Sequence, residues 1–286
     1  MDNYAALIVD LKKSRMYGKD DRNSIQEYIY RVIKTLNVIF RRAIAKKVDF
    51  SGGDEIQGLF RSCESAYLFF RMFNMLVSPV EMRAGIGVGE WDVIIKDAST
   101  TAQDGRAYHN ARYAIENAKD INGYSVLLYS GNKSDFIINS LINCTTLILN
   151  KHSEYQNELM LLSELLYPID VHETIDEFEL KRVLDLLVFK NHIDYYRNYF
   201  LKRRIFAKPF LFEMLNNFDF RSYVVDALNE SDDFFVTTGK KRGLSNELSE
   251  LIGVSRQSIE KTIKTANIYE ARNSTVATLK FMNMYL

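Results

Sequence analysis

The chain has 286 residues, 47% of them hydrophobic, which is enough to bury a sizeable core in one large domain or two ordinary ones. Its 37 Lys and Arg balance its 37 Asp and Glu, so the overall charge demands neither nucleic acid nor an anionic membrane as partner. Two cysteines, Cys63 and Cys144, are too few for a disulfide framework, and the absence of CxxC or Cys/His spacing argues against zinc.

Charge is uneven along the chain. Residues 126–239 carry 11 basic against 17 acidic side chains, and residues 240–286 carry 8 against 4. The opening stretch MDNYAALIVDLKKS lacks the basic leader of a secretory signal, and no later apolar run is long enough to span a bilayer. A soluble, cytoplasmic protein with no membrane partner is the expectation.

In chain order, AALIV at 5–9 reads as a buried strand ending at Asp10, followed by a polar, basic loop. From Ser24 the spacing turns helical, with Ile25, Ile29, Val32, Leu36, Ile39 and Ala43 on one face and Ser24 with Glu27 as a capping box. A strand leads into the hairpin SGGDE, a second strand IQGLF leaves it, and an aromatic-rich helix spans about 62–76. After Pro79, RAGIGVGEW is a strand whose Gly85, Gly87 and Gly89 leave one face bare, so a packed helix or a ligand must approach the backbone there.

The resulting order, β-α-β-β-α-β, is the split pattern of a ferredoxin-like sheet. In that topology the end of the first strand lies beside the start of the third, which brings Asp10 to Asp54 and Glu55. Carboxylates cannot share such a space ionised without a cation or a raised pKa, and a bound Mg²⁺ resolves the conflict. The residues leave a second reading open, in which Asp10 caps a turn and Gly-Gly-Asp-Glu is a good hairpin sequence.

Asp104–Gly105 is then a turn, and the following helix sets Ala107, Ala111, Ala114 and Ala118 on one face, with His109, Arg112 and Glu116 on another. A strand at 123–130 precedes helical segments over about 135–235, whose aromatics suit core or dimer packing. A two-fold homodimer is expected because closed two-fold dimers are the commonest oligomers.

The segment GLSNELSELIGVSRQSIEKTIKTAN at 243–267 has helix-turn-helix spacing, with a turn at Gly253 and a second helix from Ser255. Leu248, Ile252, Val254, Ile259 and Ile263 hold the two helices together. Arg256, Gln257, Lys261 and Lys264 project from the second helix, a combination suited to base edges and phosphates, so DNA is a candidate partner.

The blocks ALIVDLKKSR, SGGDEIQGLF, RAGIGVGEW, DGRAYHNARYAI and ELSELIGVSRQSIEKTIKTAN together resemble the SatD family of bacterial proteins, which implies a link to stress-response operons. The first four blocks are also similar, more distantly, to the palm-like domains of class III nucleotide cyclases, diguanylate cyclases and CRISPR signalling polymerases. That likeness implies an α+β fold: a ferredoxin-like, nucleotide-cyclase-like palm over 1–132, a helical linker or dimerisation region over 133–238, and a helix-turn-helix domain over 239–286.

It further implies Mg²⁺-dependent binding of a nucleoside triphosphate and nucleotidyl cyclase or transferase chemistry. Asp10 and Asp54 would be the metal ligands, assisted by the carbonyl of Leu11, with Ser14 and Arg15 facing phosphate. Gly52 and Gly53 would let the hairpin backbone approach the nucleotide. Glu55 and Arg112 join the catalytic set, Arg112 facing the charge that develops in transfer, and Asp104 and His109 join the nucleotide-facing one. The cyclase helix carries an Asn four residues before its Arg; here Tyr108 takes that place and Asn110 stands two before. The alternative is a DNA-binding regulator whose palm-like domain senses a nucleotide or dimerises without reacting.

Overall fold

The computed structural model describes residues 3–12, 16–121, 123–202, 221–229 and 234–286, which contain ten α-helices and seven strands. Strands β1 (Tyr4–Leu11), β2 (Ile44–Gly52), β3 (Glu55–Phe60), β4 (Met82–Gly89) and β5 (Val126–Tyr129) form a mixed sheet in the order β2-β3-β1-β4-β5. The first four pair antiparallel, and β5 runs parallel to β4. The chain is thus α+β.

Alternation along β1 divides the core between the two faces of the sheet. Ala5, Leu7, Val9 and Leu11 pack into the cluster built with α1 (Lys19–Ile39) and α2 (Cys63–Val77), whereas Ala6 and Ile8 face α3 (Arg106–Asp120). Asp10 continues the second series.

Helix α1 buries the expected Ile25, Ile29, Val32, Leu36 and Ile39, but its N-cap is Gly18, six residues before the Ser24 that the sequence suggests. Ser24 is inside the helix, where its hydroxyl donates to the carbonyls of Asp20 and Asp21 at 3.0 and 3.1 Å. The Ser-x-x-Glu pattern therefore marks no helix start; Ser24 bonds backward to the preceding turn. At α2 the expected start holds, as Ser62 caps it by accepting from the amide of Ser65.

The bare face of β4 is filled by α3, and the packed-helix alternative for the three glycines is the correct one. A Cβ at Gly85 would stand 2.3 Å from the carbonyl oxygen of Ala111, and one at Gly87 would stand 2.0 Å from its amide nitrogen. The alanine stripe meets the glycine stripe backbone to backbone. Residue 106 lies over Gly89 and residue 115 over Gly85, so α3 runs against β4 and its C-terminal turn overhangs the edge where β1 ends.

Beyond the sheet come α4 (Asp135–Asn150), α5 (Glu154–Leu166), α6 (Arg182–Asn191) and α7 (Asp194–Lys202). Two-residue strands β6 (Ile169–Asp170) and β7 (Val225–Asp226), which the sequence did not reveal, pair in parallel. At the C-terminus α8 (Leu244–Ile252) and α9 (Arg256–Thr265) are joined through Gly253, whose φ is +66°, and α9 is capped by Ser255. Leu248, Ile259 and Ile263 are buried, with Ile252 and Val254 half-buried beside them.

The 18-residue α10 (Ile268–Tyr285) follows and packs on α4 and α2. Its fully buried Arg272 and the buried Arg71 of α2 both donate to Oε1 of Glu164 on α5, at 2.5 and 2.7 Å. Arg272 also donates to the carbonyls of Gly239 and Tyr167. One carboxylate thereby ties together helices from all three stretches of the chain.

Candidate functional site: an acidic edge under a helix end

The register places Asp10 of β1 directly opposite Glu55 of β3 on one side and Arg83 of β4 on the other. Gly52 pairs with Glu55, which leaves Gly53 and Asp54 as a two-residue hairpin loop. Gly53 has φ +62°, and a Cβ there or at Gly52 would meet nothing within 4 Å. The first position of such a loop requires a residue tolerant of positive φ, and the open surroundings leave the hairpin backbone approachable.

Two basic residues of α3 reach this edge. Arg112 donates from both terminal nitrogens to Glu55, at 2.5 Å to Oε2 and 2.8 Å to Oε1, and the Ser51 hydroxyl adds a bond to Oε1 at 2.9 Å. Lys119 Nζ stands 4.0 Å from Oδ2 of Asp10. No hydrogen bond reaches the carboxylate of Asp10 or Asp54 among the described residues.

These environments separate the acids electrostatically. Hydrogen bonds from Arg112 hold the Glu55 carboxyl below its usual range against the opposing effect of burial, with Ser51 assisting. Burial raises the Asp10 carboxyl above its usual range; Lys119 and Arg83 oppose the rise, and Asp54 and Glu55 add to it. Glu55 is held by three hydrogen bonds, whereas Asp10 has only the ion pair with Lys119.

That difference decides which side chains suit a cation. Among the described residues no group of three or more His, Cys, Asp or Glu is arranged to hold a metal ion. An ion here would rest on Asp10 and Asp54 and be completed by water and a ligand's phosphates, the ordinary manner of holding Mg²⁺. The Leu11 carbonyl lies in the same strand end, while Ser14 and Arg15 fall outside the described residues.

Asp104 and His109 are brought to each other, with His109 Nε2 at 3.2 Å from Oδ1 of Asp104, and not to the acids. His109 precedes Lys119 by ten residues, about 15 Å along the helix axis. Asn110 donates to the carbonyl of Val88 at 2.7 Å, so it pins α3 to β4. Lys119 was missed in the sequence, although it continues the face of Arg112 and Glu116 at helical spacing.

On α9, Arg256, Gln257, Lys261 and Lys264 are all exposed. Arg256 Nε is engaged by Glu260 at 2.7 Å, and the remaining three project outward from the buried Ile259 and Ile263.

Comparison with known protein families matches residues 4–191, about two thirds of the chain, to the model of the SatD family. The matched region contains the whole five-stranded sheet and the acidic edge, and it ends before α8. Searches of curated proteins and of solved structures found no match.

Proposed function

The chain belongs to the SatD family, and on that premise we propose that it is a Mg²⁺-dependent nucleotide-binding protein whose palm-like sheet is built for nucleotidyl transfer. The order β2-β3-β1-β4 with two crossing helices supports a ferredoxin-like reading. The observation that carries the proposal is the meeting of Asp10 with the Asp54–Glu55 hairpin, in which Glu55 is bonded by Arg112 while Asp10 has only Lys119 at 4.0 Å and neither Asp10 nor Asp54 receives a hydrogen bond among the described residues.

Asp10 and Asp54 would hold the metal, which when bound supplies charge neutralisation for the phosphates and activation of an attacking oxygen. Glu55, clamped by Arg112 and Ser51, fixes the hairpin so that Asp54 stands where the metal is needed. Gly52 and Gly53 leave room for phosphate against the backbone. Lys119, in the last turn of α3, presents a positive charge beside Asp10 and offsets the negative end of its helix.

Titration calorimetry with Mg²⁺ and each nucleoside triphosphate tests this, with pyrophosphate release as the readout of turnover. The expected result is Mg²⁺-dependent binding that falls at least ten-fold in Asp10→Asn and Asp54→Asn. Absence of binding heat for every triphosphate contradicts it.

A second reading, a DNA-binding regulator, is favoured by the exposed Gln257, Lys261 and Lys264 on α9, where α8 and α9 support a helix-turn-helix. In that reading Lys261→Ala and Lys264→Ala each weaken duplex binding and lower the salt slope by roughly 1.

A further inference from the structure

A cavity of about 230 Å³ opens just beyond the acidic edge. Its walls come from Lys12 after β1, Asn74 at the end of α2, the 78–82 turn into β4, and Asn150, His152, Ser153 and Glu154 where α4 meets α5. Lys12 donates from its amide to the carbonyl of Glu81 at 2.9 Å, one pair beyond Leu11–Met82 and two beyond Asp10–Arg83. Two residues of strand, about 7 Å of backbone, separate Lys12 from Asp10, so the cavity lies around the end of the sheet from the α3 face that Asp10 shares.

The wall chemistry is hydrogen bonding in both senses. Asn74 Nδ2 donates to Asn150 Oδ1 at 3.0 Å. That bond leaves the side-chain Oδ1 of Asn74 and Nδ2 of Asn150 without a protein partner among the described residues, an acceptor and a donor from one amide pair. Burial pushes the Glu154 carboxyl up to about 7, so near neutrality it serves as either donor or acceptor. Nucleobases offer donors and acceptors side by side on one edge, and a polar wall that presents both senses, from the buried Asn74 and the exposed Asn150, suits such an edge better than an apolar ligand.

We infer that this cavity receives the base of a nucleotide whose phosphates lie at Asp10 and Asp54, with the Asn74–Asn150 amide pair and Glu154 reading the base edge. The inference rests on the nucleotide-binding reading above, and it supplies the base-recognition element that the linear sequence does not reveal.

The test compares Mg²⁺-dependent binding of inorganic tripolyphosphate with that of non-hydrolysable ATP, GTP, CTP and UTP analogues, in the full chain and in Asn150→Ala and Glu154→Gln. In the parent protein one base is expected to bind at least ten-fold more tightly than the least favoured. Each variant should reduce that spread to about three-fold and leave tripolyphosphate affinity within two-fold, which also reports that the fold is intact. Equal affinity for all four analogues in the parent, or a parallel loss of tripolyphosphate binding in the variants, overturns the base pocket while the metal–phosphate reading stands. If the parent binds neither tripolyphosphate nor any analogue, both fail.

Discussion

Arg112 grips both carboxylate oxygens of Glu55 across 57 positions of sequence, joining helix α3 to the hairpin strand at 2.5 and 2.8 Å. The two-pronged geometry is particular to guanidinium. Arg112→Lys should therefore cost about 1 kcal/mol despite keeping the charge, a modest value because the pair is partly exposed. Urea unfolding of Arg112→Lys, Glu55→Gln and the double variant measures it. Additive single effects contradict a direct clamp.

The contact of α3 with β4 leaves no space for even one carbon. Gly87→Ala would drive a Cβ to 2.0 Å from the Ala111 nitrogen and 2.2 Å from the Ala107 oxygen, both backbone atoms. Overpacking of this kind costs about 3 kcal/mol. Gly53→Ala meets no neighbour, and only its φ of +62° opposes it, at about 1 kcal/mol. Thermal melts that rank Gly53→Ala as the more damaging change contradict this packing.

Glu164 is the shared counter-ion of two buried arginines. Glu164→Gln keeps the shape and leaves Arg71 and Arg272 uncompensated in a dry interior, at a cost of about 3–5 kcal/mol. Loss of cooperative unfolding, or a midpoint shift of that size in urea, is the expected result. A loss below about 1 kcal/mol contradicts the triad as the junction of α2, α5 and α10.

Glu158 gives stability a pH dependence of defined sign. Burial raises its carboxyl from 4.5 to about 8, with Glu154 adding to the rise and Lys190 opposing it. The folded state then holds a proton that the unfolded chain releases, so this contribution is fully present below pH 4.5 and is lost as pH rises toward 8. Lys190, lowered by burial to about 8, acts oppositely above that pH. Glu158→Gln should match the parent near pH 5 and exceed it in stability near pH 7.5. A difference between the two that does not vary with pH contradicts the assignment.

Much of the sheet was legible because its signals are local. The apolar run at 5–9, the Gly-Gly-Asp-Glu turn and the helix start near residue 62 each depend on a few neighbouring residues, and the strand order that joined Asp10 to the hairpin follows from connectivity alone. What escaped notice depends on contacts distant in sequence. The glycines of β4 leave both a helix and a ligand contact open until α3 is laid across them. Lys119 belongs to the edge only because α3 runs against β4, and α10 is held by Arg272 finding a carboxylate 108 positions away. The Ser24 misreading has the opposite cause: a local pattern was present, but Gly18 had already begun the helix.

The most direct measurement is anomalous diffraction from crystals grown with Mn²⁺ and a non-hydrolysable nucleoside triphosphate. A manganese peak at about 2.0–2.3 Å from carboxylate oxygens of both Asp10 and Asp54, with phosphate density beside Gly52 and Gly53, is the result expected. Triphosphate density lying elsewhere on the molecule, with no manganese between those two carboxylates, would contradict the account.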